Sequence, residues 1–224
     1  MKFLEEKFGR EEPFFVSSSD YLISSEKPFL EAVHLAEEIA KQGRVVVFGI
    51  KPHKPEAGYG YIKVHQIPDA RVLNVEQFVE KPSLEIAEQY VLSGNYLWNC
   101  GLFAFTVEKF WQELAESASD IYELCQGSYA DLLEKFSAMP NRSIDYAVME
   151  KSKNISVIPL NILWSDVGSW DSLYDVLDKD ANQNVKIGNI LDIDTKNSLV
   201  VGGKRLIATV GLEDVVIVET EDAI

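Results

Sequence analysis

The chain has 224 residues, 46% of them hydrophobic and 25% charged, enough for a real core in one domain or slightly more. No apolar run is long enough to cross a bilayer, the charged amphipathic opening Met1–Arg10 has no signal-peptide core, and the two cysteines, Cys100 and Cys125, form neither a disulfide framework nor a zinc site, a pattern that fits a reducing cytoplasm. The net charge of −15, from 36 acids and 21 bases, argues against nucleic acid or an anionic membrane as partner, but not against a phosphorylated small molecule.

In chain order, Pro13 to Ser19 reads as a short buried strand with Asp20 just beyond it. A helix follows: Ser24 or Ser25 can cap it, Pro28 suits its first turn, and Phe29, Ala32, Val33, Ala36, Ile39 and Ala40 recur at helical spacing up to Gly43. Arg44 to Ile50 is a second apolar strand. Strand, helix and strand in this order predict a βαβ unit and a parallel sheet. A loop at 51–60 is rich in proline and glycine. Extended runs follow at Tyr61–Val64 and through residues 72–80. Ser83 caps a helix that Gly94 stops. Leu97–Phe105 is a further strand and Thr106 caps a further helix. Short helices are predicted over 119–126, 129–137 and 143–152, extended segments over Ile155–Leu160 and Ile162–Trp164, and a helix capped by Ser169. The polar stretch around residue 180 marks a domain boundary, 1–180 and 181–224. Beyond it only short β-rich runs occur, separated by turn signals. The three histidines, His34, His53 and His65, lie too far apart for a metal site and read as structural or surface residues.

Several segments carry polar groups that chemistry can use. Pro82 ends the strand that holds Phe78-Val79-Glu80-Lys81. Neighbours in a strand point to opposite faces, so Glu80 and Lys81 are expected to face different ways. Taken alone, the pentapeptide reads as a solvated strand end. The other reading is an acceptor for hydroxyls beside a cation for a phosphate. Asp20 follows a strand, and Asp166 sits in a tight strand-to-helix turn, Trp164 to Trp170, where Gly168 permits close approach. Two such carboxylates can share one Mg²⁺ whose other ligands are phosphate oxygens and water. Gly58 and Gly60 flank Tyr59, so bare backbone can approach a flat ligand there; alone the segment reads as a loop punctuated by glycine. Asn99, beside Gly101 in an apolar strand, needs partners, and either a structural hydrogen bond or a sugar hydroxyl would serve.

The motifs SSSDYLI, FGIKPHKPEAGYGYI, FVEKP, YLWNCGLFAF, SIDYAVMEKS and WSDVGSWDSLYDV follow one another in order between Ser17 and Val176, and the resemblance they carry covers nearly the whole chain. They resemble the sugar-phosphate nucleotidyltransferases, and within them the mannose-1-phosphate guanylyltransferases. The resemblance implies an α/β, Rossmann-like fold with a mostly parallel sheet, incomplete at the N-terminus, followed by a short β-rich, β-helix-like segment. It implies that Asp20 and Asp166 hold Mg²⁺, that Glu80 binds sugar hydroxyls and Lys81 the phosphate of mannose 1-phosphate, and that Gly60 and Asn99 line the sugar site. Lys81 and Asp166 would be catalytic. The reaction would be in-line attack of the sugar phosphate on the α-phosphate of GTP, giving GDP-mannose and pyrophosphate. The family's glycine-rich, basic nucleotide loop has no match here: Gly9-Arg10 is followed by glutamates. Tyr21 and Cys100 stand where histidine and serine are usual. The chain is therefore expected to be truncated at both ends, inactive or nearly so alone, and, with one edge or face of the sheet uncovered, either a homo-oligomer or marginally stable. A non-catalytic sugar-phosphate-binding regulatory relative, and a transferase for another sugar 1-phosphate, are the alternatives.

Overall fold

The computed structural model describes residues 1–65, 67 and 69–223; Ile224, the last residue of the terminal run read as extended, lies outside them. The chain divides into two compact units, Met1–Ser19 with Ile23–Trp164, and Asp20–Leu22 with Ser165–Ile224.

The elements begin with α1 (Lys2–Phe8), β1 (Pro13–Val16), β2 (Leu22–Ile23), α2 (Glu26–Ala40), β3 (Val45–Ile50), β4 (Tyr61–Val64) and β5 (Leu73–Val79). They continue through α3 (Leu84–Ser93), β6 (Tyr96–Thr106), α4 (Val107–Ser117), α5 (Ser119–Leu124) and α6 (Tyr129–Lys135) to a π-helical turn at Asp145–Met149, β7 (Ile155–Leu160) and β8 (Trp164–Ser165). Several boundaries follow from local chemistry. Ser83 Oγ accepts the Ile86 N–H at the start of α3, and Gly94, at φ 72°, ends it. Thr106 Oγ1 accepts the Lys109 N–H and starts α4. Ser24 does not cap α2; its hydroxyl accepts the Leu163 N–H instead.

The sheet corrects the fold expectation. Its strand order is β1-β6-β3-β7-β5-β4, and β4 also pairs with β6, so five strands close into a ring with β1 added outside it. Among the described residues one pairing in this sheet is parallel, β3 with β7; the others are antiparallel. This is a closed, largely antiparallel barrel within an α/β fold, not an open, mostly parallel Rossmann-like sheet. The cause is where β6 lies. Both β1 and β3 run antiparallel to it, so the predicted βαβ unit has a third strand between its two strands. Asp20 therefore does not follow a strand with a parallel neighbour, and β1 is not buried: Phe15 and Val16 are exposed.

The 11-residue β6 carries β3 along one edge and, on the other, β1 at Phe103–Thr106 and β4 at Tyr96–Trp98. It bulges at Gly101, whose φ of 65° few other residues tolerate, and the register with β3 shifts there. Val45, Val47, Ile62, Val64, Phe78, Leu97 and Phe103 pack with Val107, Trp111 and Leu114 of α4 and with Ala147–Met149. Each such burial contributes about 1.5–3 kcal/mol. Cys100 and Cys125 are buried free thiols. No helix among the described residues is long and apolar enough to cross a membrane.

The second unit holds α7 (Trp170–Val176) and the short strands β9 (Val185–Ile187), β10 (Ile190–Ile193), β11 (Leu199–Val201), β12 (Ile207–Val210) and β13 (Val216–Val218). Ser169 caps α7 through Ser172. The strands pair in parallel, β9 and β13 flanking β11, and β10 against β12. Buried Asn184 joins successive turns, donating to the Thr195 carbonyl and accepting the Ser198 N–H.

Candidate active site

Pairing in the ring assembles one side of the site. Tyr61 faces Val79 across β4–β5 and Trp98 across β4–β6. One residue further back in both registers, Gly60 lies between Glu80 and Asn99. The Asn99 N–H donates to the Gly60 carbonyl at 2.8 Å. A Cβ on Gly60 would stand 2.5 Å from Glu80 Oε2 and 3.2 Å from Asn99 Cβ. A side chain at Gly60 would therefore displace the Glu80 carboxylate and press on Asn99, and Gly60, Glu80 and Asn99, separate in sequence, are brought together here.

Glu80 and Lys81 do not face apart. β5 ends at Val79, and Lys81 takes a left-handed φ of 48°, so strand alternation no longer governs the pair. The Lys81 ammonium meets Glu80 Oε1 at 3.0 Å. The Glu80 side chain is 8% exposed and that of Lys81 is 56% exposed, a sheltered acceptor beside an accessible cation. Burial pushes the Glu80 carboxyl above its usual range; Lys81 opposes this, and the charges of Asp145 and Glu150 add to it. The same hydrogen bond raises the Lys81 ammonium, which keeps it a cation.

Asp145 and Glu150 were not singled out from the sequence, although both lie in SIDYAVMEKS. Asn99 Nδ2 donates to Asp145 Oδ1 at 3.2 Å, and Asn99 Oδ1 accepts the Gly101 N–H at 3.1 Å, so the structural reading of Asn99 is realised. Burial raises the Asp145 carboxyl, against hydrogen bonds from its own backbone, Ser143 and Asn99. Glu150 Oε1 accepts the Glu80 N–H at 2.9 Å. The only signal in the sequence was two acids five positions apart, a spacing that no α-helical face rewards.

Asp20 and Asp166 both belong to the second unit. Asp166 Oδ1 accepts the Gly168 N–H at 3.2 Å, and Val167 between them is left-handed at φ 48°. Ser169, not Asp166, caps the following helix. Among the described residues no three His, Cys, Asp or Glu side chains gather as a metal site. Two carboxylates are still a donor set that Mg²⁺ accepts, since it keeps several waters and takes phosphate oxygens.

Two family descriptions match the chain in succession: Nucleotidyl transferase over residues 1–183, and MannoseP isomerase/GMP-like beta-helix domain over residues 188–224. The xanthan biosynthesis protein XanB of Xanthomonas campestris pv. campestris is 45% identical over 96% of this chain and 48% of its own length. The mannose-1-phosphate guanylyltransferase of Salmonella muenchen is 40% identical over 93% of this chain and 46% of its own. The chain spans about half the length of these curated relatives. A crystal structure of mannose-1-phosphate geranyltransferase from Thermus thermophilus, as that protein is described, superposes with a TM-score of 0.87 at 31% identity, covering 98% of this chain and 66% of that one.

Proposed function

Because the chain belongs to the nucleotidyl transferase family, we propose that it serves the transfer of a guanylyl group from GTP to mannose 1-phosphate, giving GDP-mannose and pyrophosphate. The observation that carries this reading is the convergence of Gly60, Glu80 and Asn99, with the Lys81 ammonium tied to the Glu80 carboxylate. The sheltered carboxylate accepts hydrogen bonds from sugar hydroxyls, and bare Gly60 lets the sugar lie close. Lys81, exposed and charged, neutralises the phosphate and orients it for in-line attack. Phosphoryl transfer needs positioning and charge neutralisation more than a protein nucleophile, and these residues supply both. Asp20 and Asp166 would hold Mg²⁺, which when bound neutralises phosphate charge. Mannose as the sugar and GTP as the donor are carried by the motif resemblance and by relatives such as the Salmonella muenchen protein; the metal pair is carried by the motif resemblance alone.

The test is calorimetric titration with mannose 1-phosphate, which isolates these residues from the nucleotide half of the reaction, together with pyrophosphate release from GTP, mannose 1-phosphate and Mg²⁺. Glu80→Gln and Gly60→Ala are each expected to weaken mannose 1-phosphate binding by about tenfold or more, equivalent to at least ~1.4 kcal/mol, with Gly60→Ala acting by displacing the Glu80 carboxylate. Tighter binding of glucose 1-phosphate would overturn the mannose assignment, and unchanged affinity in both variants would overturn the site.

A further inference from the structure

Asp145 and Glu150 frame a π turn. The Glu150 N–H donates to the Asp145 carbonyl at 3.0 Å, five residues back, and the Lys151 N–H returns to Val148. An α-helix would carry residues five apart to different faces; the wider turn brings the two carboxylates round together. They reach two different strands. Asp145 accepts from the Asn99 amide on β6, and Glu150 accepts from the Glu80 backbone N–H just past the end of β5. That N–H precedes Lys81, whose left-handed backbone is costly for a residue with a Cβ.

We propose that Glu150 is a positioning residue: by accepting the Glu80 N–H it fixes the turn that sets the Glu80 carboxylate against Gly60 and the Lys81 ammonium beside it, while touching no substrate itself. The proposal rests on the sugar-phosphate reading of that pair. The residue is exposed, so its carboxylate is not needed for the core. Its acceptor oxygen is what matters, and this separates two variants of similar shape. Glu150→Gln keeps an oxygen for the Glu80 N–H. Glu150→Met fills the same space with no acceptor.

The experiment titrates wild type and both variants with mannose 1-phosphate across pH, and follows amide exchange at Glu80 by NMR without ligand. The expected result for Glu150→Met is a loss of affinity of about threefold to tenfold, as for an exposed charge-assisted hydrogen bond, with faster Glu80 exchange and an unchanged melting temperature. Glu150→Gln is expected to restore wild-type affinity at neutral pH. The charged groups facing the Glu80 carboxyl are Lys81, Asp145 and Glu150. Removing the Glu150 charge should therefore move the acid limb of binding to lower pH in Glu150→Gln. Wild-type affinity and slow Glu80 exchange in Glu150→Met would overturn the proposal. If the wild-type protein does not bind mannose 1-phosphate, the substrate reading fails, and the exchange comparison alone then decides whether Glu150 fixes the turn.

Discussion

At the scale of single residues, the site holds Glu80 and Asp145 where burial makes them ionise reluctantly. Asp145 shows the consequence. Its folded carboxyl lies above the ordinary value of 3.8 because it is buried. The stability that this group contributes is therefore present below that value and lost as pH rises through the raised one. Asp145→Asn keeps the oxygen that Asn99 uses and removes the charge. Thermal melts should show the variant more stable than wild type near neutrality, with the gap closing in acid; a variant less stable at neutral pH would contradict this account. Some of the site was readable from sequence and some was not. Ser83, Thr106 and Ser169 were found as caps because a cap is a bond between residues three apart. The meeting of Gly60, Glu80 and Asn99 depends on two strand registers at once, which no local pattern encodes. The Glu80–Lys81 ion pair was misjudged because alternation holds only inside a strand, and β5 stops one residue earlier.

At the scale of elements, α4 carries a charge pair that composition alone would place in solvent. Lys109 and Glu113 meet at 2.7 Å with side chains 10% and 2% exposed, and Asn154 Nδ2 also donates to Glu113. Although burial pushes the Glu113 carboxyl up, hydrogen bonds from Lys109, Ser152 and Asn154 together hold it below its usual range. Lys109→Met leaves that carboxylate buried without its cation and should cost about 3–5 kcal/mol in denaturant unfolding. Lys109→Met combined with Glu113→Gln should recover most of the loss, because glutamine still accepts from Asn154 without a charge. Equal destabilisation in both variants would show that packing, not charge, governs the position. Helical periodicity located α4, since Val107, Trp111 and Leu114 share its buried face, but the same periodicity is silent about polar residues placed among apolar ones.

At the scale of the molecule, the two units hold together by different means. The first closes its sheet into a ring; the second stacks short parallel strands around small residues. Gly188 shows how tight that stacking is: its φ is 100°, and a Cβ there would lie 2.2 Å from the Gly202 carbonyl oxygen. Gly188→Ala should cost the second unit about 2–4 kcal/mol through strain and collision. Hydrogen exchange is expected to quicken across β9–β13 while β3 and β7 stay protected, and unchanged exchange in β9–β13 would refute this. The positions of β10 to β13 were legible because turn residues punctuate them, whereas β9 was not read as a strand. The ring was not, because its closure joins segments far apart in the chain and because β6 slips between two strands that sequence order presents as neighbours.

The parallel seam of that ring has a consequence in time. Val45 of β3 is partnered by Ile155 of β7, so one edge of an almost wholly buried apolar strand is finished long before its mate has been synthesised. At ribosomal speeds the wait is roughly 5–20 s, ample for a bare strand edge to find another chain. During that interval the nascent protein depends on being shielded or kept dilute, and its yield should respond to holding chaperones and to translation rate more sharply than its final stability would suggest.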